Sequence, residues 1–146
     1  MEGGKVRPFG DLQKRLNRKT AGPKLLKEFP AAIRAYDLLS LNGEDLRPLP
    51  FEERRRRLEE FVADFSHPRI DLSPLVPVTS WQDVTEARNT PESRLDKEDV
   101  AAVEGLMLKR WDAAYTGGRP KGLWYKWKRD PLTADCVMMY AQRGSG

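Results

Sequence analysis

The sequence predicts an α+β fold of antiparallel strands with packed helices, and three observations carry that prediction. From Pro50 onward, Phe51, Leu58, Phe61, Val62 and Phe65 recur on one face at a period near 3.6, as in an amphipathic helix. Residues 32–39 form a run that reads as a buried strand, closed by the turn pair Asn42-Gly43. Between Glu104 and Asp130, Gly105-Leu106-Met107-Leu108-Lys109 and Trp124-Tyr125-Lys126-Trp127-Lys128 read as two short strands with charged groups at their ends.

The chain has 146 residues, enough for one domain with a modest core. Apolar content is 39% and charged content 33%, a balance that implies an extensive polar surface. A single cysteine, Cys136, excludes an internal disulfide and suits a reducing, cytoplasmic setting. No apolar run approaches the ~20 residues that span a bilayer, and no signal-peptide core opens the chain, so no membrane role is expected. The net charge of +4 is mild but uneven. Residues 1–29 hold eight basic against three acidic side chains, a net +5 that leaves the remainder close to neutral.

Taken in order, Phe9, Leu12 and Leu16 predict an amphipathic helix with one basic flank. That flank suits DNA phosphates or plain solvent equally. Gly22-Pro23 breaks the helix, residues 24–29 form a short turn, and Pro30 opens the first strand. In the helix after Pro50, the run Arg54-Arg55-Arg56-Arg57 is flanked by Glu52, Glu53, Glu59 and Glu60. Pairs at i,i+4, Glu52 with Arg56 and Glu53 with Arg57, predict a solvated, self-compensated surface. His67, the only histidine, has no partner for a zinc site and reads as incidental. Residues 70–78, broken by Pro74 and Pro77, hold at best an edge strand. Thr79 is predicted to cap the next helix in a capping box with Gln82, with Trp81, Val84 and Ala87 facing inward. Residues 89–93 read as a loop, residues 96–102 as one or two helical turns, and residues 136–141 as a strand.

The chemistry concentrates in residues 104–130. Lys126 and Lys128, two apart in a strand, share a face roughly 7 Å apart, with Tyr125 and Trp127 buried on the other. Two fixed cations beside a carboxylate, Glu104, suit a polyphosphate and its divalent metal. Glu104 reads equally as an ordinary boundary residue, and Lys109 and Arg110 as site rim or solvent-facing. Gly117-Gly118 permits a tight turn that brings Arg119 toward a ligand, and the surrounding Walker pattern of a phosphate loop is missing. On residue type alone, Tyr36 reads first as a core aromatic of its strand.

These segments carry a family resemblance. Glu104-Gly105-Leu106-Met107-Leu108-Lys109 and Trp124-Tyr125-Lys126-Trp127-Lys128 resemble the fourth and fifth signature motifs of the covalent nucleotidyltransferases, which comprise ATP-dependent DNA ligases, RNA ligases and capping enzymes. Arg34-Ala35-Tyr36-Asp37-Leu38-Leu39 resembles the aromatic-Asp motif of the ligases, and Tyr115-Thr116-Gly117-Gly118-Arg119 their arginine-containing approach to the last motif. With Asp130-Pro131-Leu132-Thr133 and Tyr140-Ala141-Gln142-Arg143-Gly144, the pattern is most similar to bacterial ATP-dependent DNA ligases.

The resemblance implies part of an adenylation domain over residues 1–130 and the first strand of an OB-fold over residues 131–146. It implies ATP and Mg2+ as cofactors, nicked duplex DNA as partner, and a monomer in the full-length form. Tyr36 would stack on adenine, and Asp37 would fix neighbouring backbone or side chains. Lys126 and Lys128 would stabilise charge on the α-phosphate with Arg119 assisting, and Glu104 would hold the metal. The family's nucleophilic Lys-x-Asp-Gly tetrapeptide does not occur in the chain, which is therefore expected to be inactive alone. The alternatives are a non-catalytic DNA-binding module, and an RNA ligase or capping-type enzyme. The ligase-like segments after Asp130 argue against the latter.

Overall fold

The computed structural model describes residues 6–16, 18–95, 97, 99–131 and 133–144. It mixes short helices with three two-stranded sheets, as the α+β expectation required. The strands are β1 (Ile33–Ala35), β2 (Ser40–Leu41), β3 (Glu44–Asp45), β4 (Ile70–Leu72), β5 (Gly105–Lys109) and β6 (Trp124–Lys128). The helices are α1 (Phe9–Gln13), α2 (Pro23–Glu28), α3 (Phe51–Phe65) and α4 (Trp81–Asn89).

Pairing is not antiparallel throughout. β1 and β4 run parallel, with Ile33 opposite Ile70 and Ala35 opposite Leu72. Parallel neighbours need a long crossover, which the 15-residue α3 supplies. Within this ladder Arg34 forks onto Asp71, its cross-strand partner, and reaches Asp99 at 2.6 Å. The strand expected over residues 32–39 ends at Ala35. Beyond it the backbone turns so that Asp37 caps the Leu38 N–H and meets α3. Asn42 and Gly43 then form the expected two-residue hairpin, both with positive φ (51° and 86°), joining β2 to β3.

The α3 prediction holds in extent but not on every face. Phe51 and Leu58 are buried, Phe61 and Val62 half-buried, and Phe65 is exposed, stacked on Phe61. Arg54 and Arg55 are buried too, contrary to the solvated surface expected of the arginine run. They stand three and four residues after Phe51, inside the helix's inner stripe. Arg55 donates to the Ser73 carbonyl at 2.9 Å, fastening α3 to the end of the β1–β4 ladder. The self-compensated surface does form around Arg56 and Arg57, through Glu53, Glu60 and Glu44 rather than Glu52.

Helix α4 starts one residue later than predicted, capped by Ser80 with Asp83 closing the box. Val84 and Ala87 pack inward as expected, whereas Trp81, the first residue of α4, is 74% exposed. Pro23 sits in the first turn of α2, so residues 24–28 are helical rather than a plain turn, with Phe29 as the cap. Among the described residues, the core is made of Phe29, Leu46, Phe51, Leu58, Val84 and Ala87, with Pro91 also buried. The apolar face predicted for the first helix is exposed, because α1 stops at Gln13 and its basic flank lies on Phe29 instead. Of the turns expected over residues 96–102, a 3₁₀ turn spans Val100–Ala102, while Asp96 and Glu98 lie outside the described residues.

The strand expected over residues 136–141 does not form. Among the described residues no strand pairs with it, and Val137, Met138, Met139 and Tyr140 are 78–87% exposed. Among the described residues, no helix is long and apolar enough to cross a membrane.

Candidate functional site

The site is built on the β5–β6 ladder. Its register sets Gly105 opposite Lys128, Met107 opposite Lys126 and Lys109 opposite Trp124. Cross-strand partners share a face, so Lys109, Lys126 and Lys128 lie on one side. The other side carries Leu106, Leu108, Tyr125 and Trp127 toward α4, with the Arg88 guanidinium 5.2 Å from the Trp127 ring. Trp127 is half-buried there. Tyr125, expected to be buried, is exposed because α4 does not extend over it.

Gly105 has a strict local reason. Its φ is +148°, and a Cβ built on it would lie 2.6 Å from the Lys128 Cα and against the Trp127 carbonyl oxygen. Only glycine allows β5 to approach β6 this closely. The same glycine leaves no side chain opposite Lys128. One residue earlier, the Glu104 carbonyl accepts the Arg129 N–H at 2.8 Å, extending the ladder beyond Lys128. The Glu104 carboxylate is exposed at that end of the sheet.

The opposite end is closed by aromatic and buried ionic groups. Lys109 Nζ lies 4.7 Å from the Tyr36 ring centroid, 4.3 Å from that of Phe51, and 3.7 Å from Asp37 Oδ2. Its side chain is 15% exposed, so the solvent-facing alternative is excluded. Burial pushes the Lys109 ammonium below its usual range, Arg54 and Arg55 push the same way, and Asp37 pulls it back. Asp37 is gripped by Arg54, which also donates to the Leu49 and Ala113 carbonyls. Asp37 thus fixes neighbouring groups, the role its position implied.

A cleft of about 70 Å³ opens here, lined by residues that include Tyr36, Phe51, Lys109, Leu123 and Trp124. It has room for a few waters rather than a purine. Tyr36 is 60% exposed, so a flat ligand has access to its ring from outside the cleft rather than within it.

The structure thus brings Tyr36, Lys126 and Lys128 to one side of one ladder, linked through Lys109. Glu104 lies at the Lys128 end. Arg119 stands apart on the loop between β5 and β6, exposed, after Gly118 with φ +83°. Among the described residues, the side chains of Lys126, Lys128, Arg119 and Glu104 form no ion pair. The arginines of α3 and α4 contrast with them, each being engaged by carboxylates or carbonyls. No group of three metal-binding side chains occurs among the described residues. Glu104 therefore fits Mg2+ only as one ligand among phosphate oxygens and waters, the usual way that ion is held. Sequence reasoning missed Arg54 and Arg88.

Residues 1–128 match the family model described as the ATP dependent DNA ligase domain. The chain belongs to the ATP-dependent DNA ligase family. It is 37% identical over 145 residues to a DNA ligase of Methanopyrus kandleri and 34% identical over 145 residues to one of Thermococcus fumicolans. Each alignment covers 99% of this chain and 24% of the relative. A probable DNA ligase of Koribacter versatilis is 30% identical over 157 residues, covering 98% of this chain and 27% of that protein. The chain thus spans about a quarter of the length of these ligase relatives.

Proposed function

We propose that this chain forms part of the nucleotide site of an ATP-dependent DNA ligase, which seals nicks in duplex DNA through lysyl-AMP and DNA-adenylate intermediates. The observation that carries this reading is the order of groups along the β5–β6 face. An aromatic ring, Tyr36, lies at the Lys109–Trp124 end, and Lys126 and then Lys128 follow with no carboxylate partner among the described residues. Glu104 closes the series beside Lys128. From Lys109 to Gly105 the ladder spans roughly 13 Å at about 3.3 Å per residue. That order matches base, phosphates and metal along an extended ATP.

In this reading Tyr36 offers its exposed face to adenine. Lys126 and Lys128 neutralise charge on the α-phosphate, where fixed cations count most as charge develops during transfer. Arg119 reaches in from its loop as a further phosphate donor. Glu104 would hold Mg2+ through water or directly, and the ion would supply charge neutralisation on the phosphates. Residues 1–130 form part of the adenylation domain, and residues 131–146 begin the OB-fold. The working partner is nicked duplex DNA, the full-length form is a monomer, and the setting is cytoplasmic.

The test is a graft. A DNA ligase relative whose matching segment is replaced by this chain should seal a nicked duplex with ATP and magnesium. A folded graft that binds neither ATP nor nicked DNA would overturn the proposal.

A further inference from the structure

We propose that Arg88 is a positioning residue that clamps the end of β6 and so sets the placement of the Lys126–Lys128 pair. The inference rests on the ligase reading of those lysines.

Arg88 sits in the last turn of α4, where a cation is favoured by the helix dipole, and it is 9% exposed. Its Nε donates to the Lys128 carbonyl at 2.7 Å, and its Nη2 to Asp130 Oδ1 at 2.6 Å. Nη1 donates to Asn89 Oδ1 at 2.9 Å, and the guanidinium lies over Trp127.

The peptide unit between Lys128 and Arg129 is therefore held from both sides. Its N–H donates to the Glu104 carbonyl, and its C=O accepts from Arg88. The two groups of a trans peptide point in opposite directions. Glu104 thus grips the edge facing β5, and Arg88 grips the edge that no strand covers among the described residues.

Asp130 is 87% exposed, so the ion pair contributes little energy of its own. The carbonyl bond is charge-assisted and partly buried, and it is the stronger contact. The planar guanidinium grips residues 128 and 130 at once, and its flat face covers Trp127. A lysine ammonium has neither the fork nor the face. Loss of the clamp frees that peptide to rotate, and the direction in which Lys128 leaves the strand changes with it. Lys126, two residues inside the ladder, follows less.

Inorganic tripolyphosphate serves as the probe, titrated calorimetrically into the whole chain. Arg88→Ala and Arg88→Lys are compared with Asp83→Asn, which weakens the start of α4 and leaves the clamp intact. Amide exchange at Arg129 is followed in parallel. Both Arg88 variants should bind about tenfold more weakly or worse, in line with the loss of an outer-shell support. Arg129 exchange should quicken while the Arg110 amide, bonded to Leu123 at the far end, stays protected. Asp83→Asn should melt lower yet bind like the parent. Arg88→Lys keeps the test decisive if Arg88→Ala does not fold. Unchanged Arg129 exchange would overturn the clamp, and faster exchange with unchanged affinity would overturn the positioning role. A parent chain that binds no tripolyphosphate would overturn the ligase reading and the positioning role together, with Arg129 exchange still reporting whether the clamp exists.

Discussion

Asp37 and Arg54 are joined by two parallel hydrogen bonds, Nε to Oδ1 at 2.8 Å and Nη2 to Oδ2 at 3.0 Å, with side chains only 8% and 3% exposed. The pair fastens the residue after Tyr36 to α3. Buried pairs of this kind add little net stability, but removing one partner strands a charge. Asp37→Ala should therefore cost about 3–5 kcal/mol in urea unfolding. Asp37→Leu combined with Arg54→Met should recover only part of that loss, because Lys109 and the Leu49 and Ala113 carbonyls lose a partner too. A single variant within about 0.5 kcal/mol of the parent would show that the pair is not buried as described.

Gly105→Ala should disrupt the ladder. The left-handed φ and the approach to the Lys128 Cα leave no place for a methyl group. Strain of this sort costs about 1–3 kcal/mol or more. Exchange should quicken along both strands, whereas the β2–β3 hairpin keeps its protection. An alanine variant that melts like the parent would contradict the register.

Two half-buried carboxylates give the fold an acid limit. Asp83 is held well below the usual carboxylate range, first by the Thr79 backbone N–H and then by the Thr79 hydroxyl and Ser80. Glu53 is lowered to about 2, first by Arg56 and then by Arg57. Depressed folded-state values mean that the stabilisation is fully present above the unfolded range near 4 and is lost as pH falls through the folded values. The melting temperature should drop steadily on acidification below about pH 4. Asp83→Asn should lower it at neutral pH and flatten the acid slope. An unchanged slope would count against the capping contacts.

The tryptophans should respond unequally. Trp81 projects into solvent, so Trp81→Ala should shift stability by no more than about 0.5 kcal/mol. Trp127 lies under Arg88 and opposite Leu106, so Trp127→Ala should cost about 2 kcal/mol or more. Thermal melts of the two variants decide the matter. Equal effects would mean that α4 is rotated relative to its described position.

How far these features were legible depends on the range of the forces behind them. Asn42-Gly43 and α3 are written in a few adjacent residues: the turn formed as read, and the helix did so in extent, with Phe65 left exposed at its end. The β5–β6 strands were legible because Glu104-Gly105 and the lysine–aromatic alternation are local patterns. The burial of Arg54 and Arg55 was present in the same helical period as Phe51 and Leu58. It was masked because charge pairing with flanking glutamates explained the run equally well. The parallel β1–β4 pairing, the Asp37–Arg54 pair and the Arg88 clamp join residues 17 to 42 positions apart, and no local spacing encodes them. Trp81 shares the helical period of Val84 and Ala87, but at the first position of α4 it is left in solvent, which the period alone does not reveal. The strand expected over residues 136–141 had the right alternation but no neighbour to pair with.

Lys126 and Lys128 are proposed to hold the phosphates of ATP, and the rate of nick sealing by the ligase graft carrying Lys126→Ala or Lys128→Ala tests that role directly. Both side chains are exposed and unpaired among the described residues, so their loss should leave the melting temperature unchanged. Removing one donor of transition-state charge typically slows transfer by about a hundredfold or more. The folded variants should therefore seal at roughly one hundredth of the parent rate. Sealing at near-parent rates in both would contradict that role.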